Sequence, residues 1–234
     1  ENYFAENRPF FAEGSQYFRL ANQGEEMYEP ANSLFYSRRI GNPTFAAKLT
    51  GKTGGWAFGV LGALNDDPGA DSLFSVVRVQ KDILRNSQVG FYYSGLEREG
   101  DYSRNLAVDY SFNFRDIYFV RGVSALSFNH GSSGKGRGMH QLQFTSEPDA
   151  GLQLTADFQR VEPGVDVRTG YVSQTDVQSF GGLVGYAWRL DKGFLRRFSM
   201  DIDARLHQDA AGDRTGTDAT WMFFLRCLSQ FDVH

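Results

Sequence analysis

The chain of 234 residues has one cysteine, Cys227, and six prolines. A single cysteine excludes an intrachain disulfide framework and a cysteine-rich metal site. No uninterrupted apolar stretch exceeds nine residues (Trp56–Leu64, counting glycine). A membrane-spanning helix needs about twenty, and no signal peptide opens the chain. Lysine is scarce, so few long ammonium side chains solvate a strand face. The net charge of -4 argues against a nucleic-acid binder that relies on a broad basic surface. No stretch carries a helical period beyond one turn at 82–86. Catalytic signatures are missing too: there is no HExxH, no G-x-S-x-G and no GxxxxGK[ST]. The glycine-rich run 131–138 reads as an outer loop.

What is abundant is aromatic and glycine residues, 15% and 26 in number. They sit in segments of period two. In 105–114, Leu106, Val108, Tyr110, Phe112 and Phe114 share one face and Asn105, Asp109, Ser111 and Asn113 the other. In 198–206, Phe198, Met200, Ile202 and Leu206 oppose Ser199, Asp201, Asp203 and Arg205. Residues 152–159, 180–190 and 220–227 repeat the pattern. Residues 45–52 and 118–128 follow it less cleanly. For 72–82 the alternation does not say which face meets apolar surroundings. About eleven strands fall between residues 45 and 230, and short and longer links alternate. The longer links are 65–71, 98–103, 129–136, 162–178 and 207–217.

The fold class expected is all-β, a transmembrane antiparallel β-barrel, as a fragment of a larger barrel with further strands to follow. Residues 1–44 form a segment without strands, and 45–234 supply barrel strands. Short turns on one side and longer loops on the other suit an outer-membrane barrel, as do aromatics toward the ends of the apolar rows (110–114, Phe128, Phe158, Phe180, Trp188, Phe198, Trp221 and Phe231). A soluble β-protein with an apolar interior is the alternative, because periodicity alone does not distinguish the two. Under the membrane reading Val108 and Ile202 face lipid and Asp109 and Asp203 face the lumen. Val108→Arg then impairs folding more than Asp109→Asn.

The residues expected to line the lumen are Asp109, Asn113, Arg121, Asp157, Arg189, Asp201, Asp203 and Arg205. They could orient a polar solute or cancel in pairs and fill a closed lumen. The expected partners are outer-membrane lipid, a small polar solute and another protein, with no nucleic acid. No catalytic pair, cofactor or metal site is assigned. His130, His140, His207 and His234 are scattered, and the cluster of Asp66, Asp67 and Asp71 reads as a solvated loop. In the N-terminal segment, Pro9 fixes the backbone beside Arg8, Phe10 and Phe11. Glu6, Arg8 and Glu13 are placed to pair with Arg38 and Arg39. The segment is either a partial plug in the barrel mouth or a periplasmic linker.

The blocks ENRPFFAEG (6–14), LFYSRRIG (34–41), KLTGKTGGW (48–56), VVRVQKDIL (76–84) and VDVRTGYVSQTDVQSFGGLVGYAWR (165–189), taken together, resemble the domain-of-unknown-function 5916 family of bacterial proteins. The resemblance runs from about residue 1 to 206. It implies an outer-membrane barrel in a Gram-negative bacterium, commonly preceded by a module like family-nine carbohydrate-binding domains. That module is absent from this chain. The resemblance implies no enzymatic activity. It suggests a saccharide as one solute, and the anchoring of a periplasmic module as the alternative role.

Overall fold

The computed structural model describes residues 6–21, 32–66, 71–131, 135–192, 195–209 and 211–227. Long alternating segments build long strands. They are β2 (Pro43–Thr53), β3 (Trp56–Asn65), β4 (Ser72–Ile83), β5 (Ser87–Arg98), β6 (Asp101–Phe114), β7 (Tyr118–Asn129), β8 (Arg137–Ser146), β9 (Gly151–Val161), β11 (Val177–Lys192), β12 (Leu195–Gln208) and β13 (Arg214–Cys227). All eleven form one antiparallel sheet in the order of the chain, from β2 at one edge to β13 at the other. The sheet is not closed: β2 and β13 do not pair with each other. Two short strands, β1 (Asn32–Ser33) and β10 (Tyr171–Val172), pair separately. The all-β class and the number of long strands match the alternation in the sequence.

Three local expectations change. The large sheet begins at Pro43, and the N-terminal segment, expected to have no strands, contains β1 and one helical turn, α1 (Pro9–Ala12). The link at 98–103 is not long: Glu99 and Gly100 alone join β5 to β6, with Gly100 at φ 69°. Left-handed backbone at that glycine allows the tight turn and extends the Arg98–Asp101 pairing. Residues 82–86 make the end of β4 and a turn rather than helix, with Leu84 and Asn86 both at positive φ.

The two faces of the sheet differ in chemistry. On the outer face, Leu49, Val60, Val108, Leu126, Val184 and Ile202 are all exposed, Val108 by 54% and Val184 by 55%. The opposite, inner face buries Asn65, Ser72, Arg78, Ser94, Ser103, Asn105, Asp109, Ser127, Asn129, Ser179, Ser199 and Asp201. A water-soluble sheet protein puts its apolar row inside, and here the apolar row is outside. Aromatic contacts mark the outer face near the strand ends: Trp188 stacks on Phe198 at 5.3 Å, Tyr118 on Phe144 at 6.5 Å, and Phe158 lies 5.1 Å from Phe180. Trp221 departs from the expected placement at an end, because it pairs with Ile202 in mid-strand. Phe231 lies outside the described residues. An apolar groove of about 220 Å³ also opens on this face, lined by Leu152, Val184, Tyr186, Met200, Ile202 and Trp221 among others.

The inner face also carries an apolar patch that runs from β3 to β9. Leu61, Ala63, Phe74 and Val76 are buried there, and so are Leu96, Ala107, Val123, Ala125, Met139 and Val161. They join Phe11, Phe18, Leu20, Leu34 and Ile40 of the N-terminal segment in one apolar cluster. This settles the ambiguous strand β4. Its Phe74, Val76 and Arg78 face inward beneath that segment.

Candidate functional site: the inner face and the segments folded onto it

The register places all eight expected lumen residues on the inner face. Asp109 pairs with Val123 and Ser111 with Arg121 across β6 and β7. The same row continues through Gln143, Asp157, Gly181 and Arg205 to Asp218. Asp201 and Asp203 follow on β12 opposite Gly185 and Leu183, and Arg189 lies two positions beyond Ala187. Asn113 shares the parity of Asp109 and Ser111, and its backbone N–H donates to Ser87 Oγ at 3.0 Å.

These eight residues do not act as one group. Arg205 holds Asp157 through Nη2 to Oδ1 at 3.1 Å and approaches Asp203 at 3.5 Å. Arg121 lies 5.7 Å from the centre of the Phe119 ring. Asp201 is buried, and its Oδ1 has no hydrogen-bond partner among the described residues. Beyond the apolar cluster this half of the inner face is rich in amides and hydroxyls, with Gln141, Gln143, Gln153, Thr155 and Gln159 on the same parity.

Asp109 belongs to a different arrangement. Its side chain and that of Arg78 are only 1% and 2% exposed. Arg78 Nη2 donates to Asp109 Oδ2 at 2.7 Å, and Nη1 donates to Oδ1. The pair reaches across β5 above Gly90. A Cβ at that position would lie 2.2 Å from Arg78 Nη1 and 2.5 Å from Asp109 Oδ1. Glycine therefore makes room for the bidentate bridge between two non-adjacent strands. The backbone N–H of Ala21 donates to Asp109 Oδ2 at 2.8 Å. Beside the pair, Tyr92 is 1% exposed, and its hydroxyl has no protein partner among the described residues.

The described parts of the N-terminal segment, 6–21 and 32–42, lie on the inner face. Arg8 ties its two ends together, donating to Ile40 O at 2.6 Å, to Ser37 O at 2.8 Å and to Glu6 Oε2 at 2.7 Å. Ser37 Oγ donates to the same carboxylate at 2.6 Å. These hydrogen bonds, Arg8 first, hold the Glu6 carboxyl down at about 2. The expected pairing of Glu6 and Arg8 with Arg38 and Arg39 gives way to this local one, because Glu6 and Arg8 are two residues apart and already in contact. Arg39 Nε instead donates to Gly170 O at 3.0 Å, and Arg38 is exposed. Phe11 is buried beneath the Arg8 guanidinium, 4.4 Å from its ring centre. Phe10 remains 38% exposed under Lys48. Glu13 contributes its carbonyl, which with that of Phe10 accepts from Lys48 Nζ.

A second segment folds onto the same face. The link between β9 and β11 is not an outward loop: Val165 and Val167 join the apolar cluster and Thr169 is fully buried. The Leu34 carbonyl accepts from Thr169 Oγ1 at 2.7 Å and lies 2.9 Å from Ser94 Oγ. Those two hydroxyls are 2.8 Å apart, and Asn105 Nδ2 donates to Thr169 Oγ1 at 3.1 Å. Ser127 Oγ and Asn129 Nδ2 both donate to Asp166 O, at 2.6 and 2.9 Å. Tyr36 N–H donates to Thr169 O at 2.9 Å, and β1 pairs with β10.

Arg78, Ser94, Asn105 and Thr169 are not among the site residues that the sequence pattern singles out. A signal for Arg78 existed, since an arginine sharing a strand face with Phe74 and Val76 needs a partner. Of the histidines, His130 packs edge-on against Tyr102 at 5.8 Å, and His207 Nε2 lies 3.1 Å from Asp218 Oδ2. His140 Nδ1 lies 3.2 Å from Ser124 Oγ on the outer face. His234 and Asp67 lie outside the described residues. No family model, no curated protein and no solved structure matches the chain.

Proposed function

We propose that this chain builds the wall of an outer-membrane β-barrel in a Gram-negative bacterium, and that the barrel admits a small polar solute along its inner face. The observation that carries this reading is the inverted polarity of the sheet. Leu49, Val108 and Val184 stand exposed outside, while Arg78, Asp109, Ser94 and Asn105 are buried inside. That arrangement favours hydrocarbon outside and polar contents within. Lipid offers no hydrogen bonds to free strand edges. The membrane reading therefore requires β2 and β13 to be bridged by further strands or by another chain. The residues lining the solute path are Arg121, Asp157, Asp203 and Arg205 with the neighbouring glutamines. Amides and paired charges of this kind hydrogen-bond to hydroxyl-bearing solutes, saccharides among them. This role asks for no catalysis and no cofactor.

The N-terminal segment, tied down by Arg8 and by its apolar cluster, favours a second reading. A barrel whose inner face is permanently occupied would serve as an anchor for a periplasmic module or partner protein. The two readings separate in one experiment. The full-length protein is reconstituted in phospholipid vesicles, and swelling in neutral sugars is measured together with single-channel current. Solute entry and discrete current steps support admission. Their absence from correctly inserted protein overturns admission and leaves the anchor.

A further inference from the structure

We propose that Asp201, laid over Gly185 on the inner face, anchors a binding site for a hard divalent cation of the calcium type, with Ser199 Oγ and the Gln153 amide oxygen as neighbouring donors. The site needs the inner face of the sheet and no solute passage, so it goes beyond the barrel reading. Three glycines motivate it. At each, a side chain of one flanking strand lies across the bare Cα of the strand between. Over Gly90, Asp109 meets Arg78. Over Gly181, Asp157 meets Arg205, and a Cβ there would lie 2.4 Å from Asp157 Oδ1. Both of these bridges pair a carboxylate with a guanidinium.

The third crossing has only its acidic half. A Cβ at Gly185 would lie 1.7 Å from Asp201 Oδ1, so the carboxylate reaches over β11 toward β9. The residue that completes this row on β9 is Gln153, which carries no charge. Asp201 is 7% exposed, and its Oδ1 accepts no hydrogen bond among the described residues. Ser199 Oγ lies 3.5 Å from Oδ2. The cross-strand neighbour on β13 is Met222, and Ala187, the next inner-face residue of β11, is fully buried. Among the described residues, the inner-face arginines of β11 and β12 are not placed to answer the charge. Arg205 is engaged by Asp157 and Asp203. Arg189 and Arg197 stand four residues along the strands from Gly185 and Asp201, about 13 Å away.

A buried carboxylate without a counter-charge is strongly disfavoured. The two completed bridges meet that demand with a cation held over the glycine. At Gly185 no side chain supplies one, so the cation comes from outside the chain. Carboxylate, hydroxyl and amide carbonyl oxygens are hard donors, and they select hard ions over soft metals. Among the described residues no three His, Cys, Asp or Glu side chains gather at one point. The site therefore rests on one carboxylate and neutral oxygens, which sets it among weak calcium sites of about 10⁻⁴–10⁻³ M.

The test adds calcium chloride to the full-length protein in micelles at pH 7. Binding is measured by titration calorimetry and unfolding by heating. Saturating calcium should raise the unfolding midpoint of the parent by about 2–4 °C. Asp201→Asn should lose that shift and bind calcium at least tenfold more weakly. Without calcium, Asp201→Asn should be at least as stable as the parent, because it removes an uncompensated charge, so weak binding is not a sign of misfolding. Gly185→Ala, whose Cβ would take the place of Asp201 Oδ1, should weaken binding as well. Equal calcium binding by the parent and Asp201→Asn places the ion on other carboxylates and overturns the site. Absence of calcium binding from the folded parent overturns it too. An infrared band of a protonated carboxyl, lost in Asp201→Asn, would then show that a proton neutralises the group. These outcomes are read without a bilayer or solute flux, so failure here leaves the barrel reading untouched.

Discussion

At the scale of single residues, Asp109 shows how a position read as solvent-facing can carry structural weight. A lumen aspartate facing water tolerates substitution. Asp109 is instead buried, bridged to Arg78 and bonded to the Ala21 amide. Asp109→Asn therefore leaves a buried guanidinium without its counter-charge, at a cost of about 3–5 kcal/mol. The double replacement Arg78→Met with Asp109→Leu recovers most of that loss, because no uncompensated charge remains. Denaturant titration of the folded protein in micelles measures both. Equal damage from the single and double variants would show that the ion pair is not what the single change breaks.

Glu6 gives a pH-dependent case. Its carboxyl ordinarily titrates near 4.5 and in the fold near 2. A lowered folded value means that the contribution is fully present above the ordinary value and is lost as pH falls through the folded one. Arg8 is about a third exposed, so the tie is partly screened and worth about 1 kcal/mol. The stability gap between the parent and Glu6→Gln should be constant from pH 7 to 5 and shrink between pH 4 and 2. A gap that does not change with pH would contradict the assigned partners.

At the scale of elements, β6 and β12 were legible because one face is apolar and the other largely polar through 105–114 and 198–206. β4 was not legible, because Phe74 and Val76 face the N-terminal segment while Val77 and Val79 line the outer surface. Period two reports a strand, not which neighbour covers it. The 162–176 link reads as a loop because it has few apolar residues. Its weak signal was the alternation of Val165, Val167 and Thr169, all three of them buried. The ties Ser94–Thr169 and Asp109–Ala21 join residues far apart in the chain, and no local pattern encodes them. Gly170→Ala tests the pairing of β1 with β10 at this scale, because a Cβ there would lie 1.9 Å from Ser33 O. It should raise amide exchange in residues 33–36 and 167–172 together, with the pairing of β6 and β7 unchanged. Exchange rising on one side alone would mean that the two segments dock independently.

At the scale of the whole molecule, the proposed role depends on which face of the sheet meets hydrocarbon. The exposed outer row and the buried polar inner row are visible in the structure, and the bilayer is the proposal drawn from them. If the outer face lies in lipid, Val108→Arg costs about 2–4 kcal/mol near the midplane. That loss is comparable to the cost of breaking the Arg78–Asp109 pair, so stability alone does not decide. Spin labels at 108 and 202, set against labels at 203 and 205, decide most directly, with the full-length protein in phospholipid vesicles. Residues 108 and 202 belong to the outer row, and 203 and 205 to the inner face. With the outer face in lipid, a lipid-dissolved quencher reaches 108 and 202 and does not reach 203 and 205. Protection of 108 and 202 from both lipid-dissolved and water-dissolved quenchers would place that row inside a protein core and contradict the membrane assignment.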